Sequence, residues 1–356
     1  MRIVLVGFGA VGKALVGMLE AKAEELYRAH GLSPRVVCVI DSGGAAVAGR
    51  GLSAAALLAA KTRGGGGGGS VAGIEAEGAV GLRGVEAERV IKDTAADVLV
   101  ETTPTSVRDA SRAMGHLRAA MGAGMHAVSV NKGPLAVAMP ALVQLAAHNR
   151  VMLRYSGTVG AGTPVLATAR TLAAGDRIVR VRGILNGTTN FILHRMQTAG
   201  ESYQDALAEA VRLGYAETDP SADVDGIDTA TKVVILANAV MKMGATIGDV
   251  RVSGIRDIER SRVREAAERG MSVKLIGEID ATVGARGGAG RALSVGPAEV
   301  ERGGPMDVPR NVNAVEFTLE KSGTVTLVGR GAGGDETATA IVRDLVEIWH
   351  EGGGGR

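Results

Sequence analysis

Met1-Arg-Ile-Val-Leu-Val6 runs directly into Gly7-Phe-Gly9-Ala-Val-Gly12, and an Ala/Leu-rich stretch follows to about residue 30. An apolar run of strand length, three glycines at Gly-x-Gly-x-x-Gly spacing and a segment suited to a helix make a strand–turn–helix unit. Each glycine has a physical use there. The first permits a tight turn, the second lets backbone approach a pyrophosphate, and the third lets the helix pack closely on the strand. The first helical turn also offers unpaired N–H groups to phosphate oxygens. Gly7, Phe8, Gly9, Ala10, Val11 and Gly12 are therefore expected to contact a dinucleotide, a reading that the strand before and the helix after make far stronger than the spacing alone.

Outward from that unit, strand 2–6, helix 10–30, strand 35–40 and helix 52–61 give a βαβα order that favours a parallel sheet. Asp41 ends the second strand, where a carboxylate would accept from an adenosine ribose and favour NAD, although it lies farther from the glycines than the usual spacing of about 20 residues. A turn-capping aspartate is the alternative. Arg50, Lys61 or Arg63 would instead meet a 2′-phosphate, so NAD and NADP both stay open. Gly64 to Gly69 reads as a mobile surface loop and lacks the Gly-Lys-Ser/Thr of an ATP loop. Strand 96–100 leads into Glu101-Thr-Thr-Pro-Thr105, helix 106–122, strand 125–130, the exit loop Asn131-Lys-Gly-Pro134 and helix 135–149. Those turns gather where doubly wound sheets bind ligands. Beyond about residue 150 the glycine spacing changes. Strand 151–155, loop 156–163, helix 164–174, strand 178–185, helices 189–198, 203–213 and 226–243, strands 272–282 and 291–299, a hairpin over 314–328 and a terminal helix 335–349 indicate a second α/β layer.

The 356 residues, 46% hydrophobic, suffice for two or three packed domains. Aromatics make up only 2%, which argues against a base-stacking nucleic-acid platform. The 40 basic and 38 acidic side chains are dispersed, so a net charge of +2 implies no field for phosphate polymers or anionic membranes. No apolar run reaches the roughly 20 residues needed to span a bilayer, and the expected location is cytoplasmic. Cys38, the only cysteine, sits in the apolar run Val36–Ile40 and excludes intrachain disulfides and cysteine-rich metal sites. The six histidines are scattered without a His-Glu-x-x-His pair, so no metal is expected and hydride chemistry would be metal-free.

Gly214-Tyr-Ala-Glu217-Thr-Asp219-Pro220, then Asp223, Asp225, Asp228 and Lys232, concentrates acid on a turn and sets a lysine one helical turn beyond an aspartate. Residues four apart share a helix face. Such a group could hold a substrate ammonium while Lys232 delivers a proton elsewhere on the same molecule.

With Asn131-Lys-Gly-Pro-Leu135, Gly183-Ile-Leu-Asn-Gly-Thr-Thr-Asn-Phe-Ile192, Leu213-Gly-Tyr-Ala-Glu-Thr-Asp-Pro220 and Gly226-Ile-Asp-Thr-Ala-Thr-Lys232 in view, the chain resembles the homoserine dehydrogenase family over nearly its full length. Glu101-Thr-Thr-Pro104, Gly157-Thr-Val-Gly-Ala-Gly162 and Gly331-Ala-Gly-Gly334 add to the resemblance. It implies a Rossmann-type nucleotide domain (1–150), an α/β substrate-binding and dimerisation domain (151–325), a C-terminal helix returning to the nucleotide domain (326–350) and a flexible tail (351–356). It also implies the short monofunctional form, without an aspartokinase or an appended amino-acid-sensing domain. The activity implied is reversible NAD- or NADP-dependent interconversion of L-homoserine and L-aspartate 4-semialdehyde in the biosynthesis of threonine, methionine and isoleucine, by a homodimer. Lys232 matches the family's proton donor, Asp228 orients it, and Lys132 matches a strand-exit lysine that aligns the carbonyl or assists proton movement. Glu217 matches the substrate-contacting glutamate, with Asp223 and Asp228 as supporting carboxylates; Gly183, Asn186, Gly187 and Thr188 shape or line the pocket, and Thr102, Thr103, Pro104 and Lys132 pass near the nicotinamide. Some members bind a monovalent cation with a glutamate where this chain has Ser156. Serine keeps an oxygen but loses the charge, so such an ion is possible here without being an expectation. The alternatives are another amino-acid-related dehydrogenase and a noncatalytic nucleotide-dependent sensor, since a fold alone does not imply turnover.

Overall fold

The structure is a computed structural model that describes all residues except 64–68, 218, 283–291 and 354–356. Most of the expected glycine loop and the end of the expected tail lie outside the described residues. The chain divides into two compact units, Met1–Thr158 with Gly333–Arg356, and Val159–Ala332.

The first unit contains β1 (Arg2–Val6), α1 (Ala10–Ala21), α2 (Ala23–His30), β2 (Arg35–Asp41), β3 (Gly44–Val47), α3 (Ala54–Thr62), β4 (Val80–Leu82), α4 (Ala87–Asp93), β5 (Val98–Glu101), α5 (Ser111–Gly122), β6 (His126–Ser129), α6 (Lys132–His148) and β7 (Leu153–Arg154). Its sheet runs β4-β3-β2-β1-β5-β6-β7. From β2 to β7 all neighbours are parallel, whereas β3 and β4 extend the edge antiparallel. Ile3 and Leu5 of β1, Leu15, Val16 and Leu19 of α1, and Ala338, Ile341, Leu345 and Ile348 of the C-terminal helix share one buried cluster. The last helix therefore returns to complete the layer over the first strand.

Four local departures from the sequence reading have physical causes. The expected helix 10–30 breaks at Lys22 (φ −101°, ψ 11°), and the bend lets Leu26 join the core. The helix expected from 106 starts only at Ser111, because the Ser106 hydroxyl accepts from Asp109 N–H and the Asp109 carboxylate from Ser111 N–H. Such side-chain bonds to backbone compete with a helix. Conversely α6 starts at Lys132, three residues early, since Asn131 Oδ1 accepts from Gly133 N–H at 3.0 Å and Pro134 is tolerated in a first turn. Its axis kinks at Ala138 (φ −147°, ψ 33°), two residues before Pro140, which lacks an N–H and crowds the preceding turn.

The second unit contains α7 (Val165–Gly175), β8 (Ile178–Ile184), α8 (Gly187–Thr198), α9 (Tyr203–Arg212), α10 (Ser221–Val224), α11 (Ile227–Met241), β9 (Val250–Val252), α12 (Arg260–Glu268), β10 (Met271–Asp280), β11 (Ala292–Glu301), β12 (Val312–Leu319) and β13 (Gly323–Arg330), after which α13 (Gly334–Glu351) belongs to the first unit. Its sheet runs β13-β12-β8-β10-β11-β9, antiparallel except for β11 with β9. Helices α8, α11 and α12 pack on β10. From Thr229 to Asn238 every residue of α11 is buried, so its polar members face protein and not water. Among the described residues no helix is long and apolar enough to cross a membrane.

Candidate active site

In the second unit, β8 delivers the chain to Leu185 and Asn186, and α8 begins at Gly187 with Asn186 as its cap. Asn186 is 5% exposed and uses all of its amide. Its Oδ1 accepts from Thr189 N–H at 2.9 Å, while Nδ2 donates to Asp223 Oδ1 at 2.6 Å and to Asp228 Oδ2 at 3.0 Å. One neutral side chain thus bridges two carboxylates that lie 37 and 42 residues further along the chain.

Asp228 sits in the first turn of α11, which starts after Gly226 in the left-handed region (φ 82°). A side chain at 226 would also press on Val252 and Val295, each 3.1 Å from a Cβ. One turn on, Lys232 is 6% exposed; its Nζ donates to Asp228 Oδ2 at 2.7 Å and to the Leu185 carbonyl at 2.5 Å. Gly183 is buried within β8, and a Cβ there would stand 2.7 Å from the Leu185 side chain. Its place is beneath the residue whose carbonyl receives the lysine. Gly187 abuts Asn311, and Thr188 Oγ1 donates to the Tyr215 carbonyl at 2.7 Å, tying α8 to the acidic turn. Glu217 is exposed on that turn. Burial, and then the neighbouring charge of Asp228, push the Asp223 carboxyl above the ordinary aspartate range despite the Asn186 bond. Asp223, Asp228 and Lys232 together carry more negative than positive formal charge, which makes the group an acceptor for a cation such as an ammonium.

In the first unit Gly7 and Gly12 occupy places where a side chain would meet backbone. Gly7 (φ 93°) has the Thr102 backbone 2.7 Å from where a Cβ would be, and a Cβ on Gly12 would stand 2.4 Å from the Gly7 carbonyl oxygen. Gly9 faces open space. The two outer glycines are required by the protein itself, and the middle one leaves room for a ligand. Phe8 is buried in the core, so only its backbone is available, and α1 begins at Ala10 with Val11 packed against the core cluster. These residues fit a dinucleotide pyrophosphate at the start of α1.

Thr102 Oγ1 donates to the Gly7 carbonyl at 2.7 Å, fastening the turn after β5 to the glycine turn. Asn131 Nδ2 donates to the Thr103 carbonyl at 3.2 Å and to the Pro104 carbonyl at 3.1 Å, so the same turn is held from α6. Lys132 follows that cap, and its N–H donates to Thr105 Oγ1 at 3.2 Å. Asp41 accepts from Lys61 Nζ (2.8 Å), Ser70 Oγ (2.7 Å), Val71 N–H (3.0 Å) and Gly43 N–H (2.9 Å). Burial alone would raise its pKa, but those four donors hold it below the usual aspartate value. Ser156 donates its N–H to Asp344 Oδ2 at 2.9 Å in a buried position. Among the described residues no three His, Cys, Asp or Glu side chains are grouped to hold a metal.

Sequence reasoning missed two contributors. Glu101 is wholly buried, with Oε2 at 2.7 Å from His116 Nδ1 and Oε1 accepting from Thr103 N–H at 2.7 Å. It sets the turn carrying Thr102 to Pro104; a glutamate ending an all-apolar strand was the available signal. The Leu185 carbonyl, a backbone group, left none.

The family model for homoserine dehydrogenase matches residues 164–346. Homoserine dehydrogenase of Methanocaldococcus jannaschii is 38% identical over 350 residues, covering 98% of this chain and 99% of that protein. The NAD(+)-dependent homoserine dehydrogenase of Pseudomonas canavaninivorans is 37% identical over 349 residues, covering 98% and 96%. A hyperthermophilic archaeal homoserine dehydrogenase solved in complex with NADPH superposes with a TM-score of 0.82 at 26% identity, covering 98% of each chain. A lysine and two carboxylates joined through one asparagine, a glycine turn open at its middle residue and these near-full-length likenesses place the chain in the homoserine dehydrogenase family.

Proposed function

We propose that the chain interconverts L-homoserine and L-aspartate 4-semialdehyde with NAD or NADP, as a cytoplasmic homodimer. The observation that carries this reading is the buried Lys232 beside two carboxylates bridged by Asn186. The excess negative charge suits the substrate ammonium, with Asp223 and Glu217 as its partners, and Lys232 handles the proton of the reacting oxygen.

Bound NAD(P) supplies the hydride acceptor in oxidation and the donor in reduction. In the oxidative direction the neutral Lys232 amine takes the alcohol proton as the hydride leaves the same carbon. In reduction the ammonium stabilises charge growing on the aldehyde oxygen and then gives it the proton. Asp228 and the Leu185 carbonyl orient the amine. Lys132 aligns the substrate, and Thr102, Thr103 and Pro104 form the turn that meets the nicotinamide end.

The test is cofactor absorbance with homoserine, run with NAD and with NADP across neutral to alkaline pH. Lysine ordinarily titrates near 10.4, so homoserine oxidation should accelerate as the solution becomes alkaline. Inactivity of folded protein with both cofactors would refute the reading, and cofactor binding without turnover would favour a sensor. A flat profile with chemistry rate-limiting would remove Lys232 as the base.

A further inference from the structure

Lys274, on β10, is almost wholly withdrawn from solvent, at 1% exposure, and the chemistry above makes no use of it. A buried ammonium persists only when it is paired and hydrogen-bonded. Its Nζ donates to the Val308 carbonyl at 2.6 Å and to Asn190 Oδ1 at 3.1 Å, with Asp307 Oδ1 at 3.5 Å. Asn190, itself wholly buried, turns its Nδ2 to the carbonyls of Val308 (3.2 Å) and Val312 (3.0 Å). Lys274 and Asn190 thereby clamp the connection between β11 and β12 onto the first turn of α8. The end of that connection, Asn311, abuts Gly187, leaving only 3.0 Å between its carbonyl oxygen and a Cβ built at 187. Gly187 adjoins Asn186, the amide that spaces Asp223 from Asp228.

We infer that Lys274 is a positioning residue for the reaction: through Asn190 and the 302–311 connection it fixes the start of α8, and so the Asn186 bridge on which the Lys232 site depends. The inference rests on the proposed dehydrogenase reading.

The test compares Lys274→Met with the wild type in full-length protein. The wild-type rate with homoserine tests the dehydrogenase reading; the ratio of variant to wild type tests the lysine. The variant should keep its cofactor affinity and lose about tenfold or more in kcat, since small displacements of a reacting geometry are costly. A double-mutant cycle with Asn186→Ala should be strongly non-additive, because both changes act through the same amide. In a crystal structure of Lys274→Met the Asn186 to Asp228 contact should be lost, a readout independent of turnover. Unchanged kcat with a lowered Tm, additive effects in the cycle or a preserved contact would each overturn the proposal. Should Lys274→Met not fold, Asn190→Asp carries the same three measurements, since it keeps an acceptor for the lysine but loses the donor to both carbonyls.

Discussion

In the first unit Lys61 Nζ stands 2.8 Å from Asp41 Oδ2, and in the second Lys232 Nζ stands 2.7 Å from Asp228 Oδ2. By length and by the depth of the carboxylates the two pairs resemble each other, with side-chain exposures of 5% for Asp41 and 14% for Asp228. Their neighbours differ. Around Asp41 the remaining partners are a hydroxyl and two backbone N–H groups, all donors, and the carboxyl is held acidic. Asp228 is instead linked through the Asn186 amide to a second carboxylate, Asp223, and the affinity of Asp223 for a proton is raised. The first pair is electrostatically complete and ties β2 to α3 and to the segment after it. The second group sets two carboxylates beside one lysine, and the proposed ammonium contact rests on that balance. An ion pair alone is therefore a poor guide to function, and the balance of donors around it is a better one.

The sharpest test of that contrast is Lys232→Ala, for which kcat should fall by about 100-fold or more with cofactor affinity retained. Near-normal turnover would put the second pair in the same structural class as the first. Next, Glu217→Ala should raise the KM for homoserine by about tenfold, because an ammonium loses a charged partner. A selective loss of cofactor affinity would move Glu217 out of the substrate site. On the other side, Asp41→Asn should cost about 1–2 kcal/mol in denaturant unfolding with kcat unchanged, since one charged acceptor is lost. Because the Asp41 pKa is depressed in the folded chain, its contribution is complete above the ordinary aspartate range and disappears as pH falls through the lower folded value. The smallest effect has the opposite sign. Asp223→Asn should raise Tm by about 2 °C near neutrality while weakening homoserine binding. The folded pKa of Asp223 is raised, so its ionisation costs stability as pH climbs through that value, and the gain should vanish in acid. A stabilising change that left KM untouched would deny Asp223 a substrate role.

The strand–glycine–helix start was legible because it is a local pattern: Ile3, Val4, Leu5 and Val6 are all buried, and Gly7 and Gly12 meet backbone where a side chain would not fit. The major strands and helices of the second unit were legible for the same reason. The edge strands β3 and β4 were not, since Ala45, Ala46 and Gly81 carry little strand propensity and are recruited by pairing with β2 and with each other. Helix α12 escaped because Val263 and Ala266 are its only buried residues in a highly charged segment. In the site, the Asp228 and Lys232 pair followed from helical spacing. The bridging work of Asn186 did not, because it joins elements separated by loops whose path no local rule supplies.

The open side of Gly9 has a use in the laboratory. Its φ of −87° suits any residue, and no neighbour approaches a Cβ there within 4 Å. Gly9→Ala should therefore give a folded chain blind to its coenzyme, in which the affinity of the acid and lysine pocket for amino alcohols can be weighed alone.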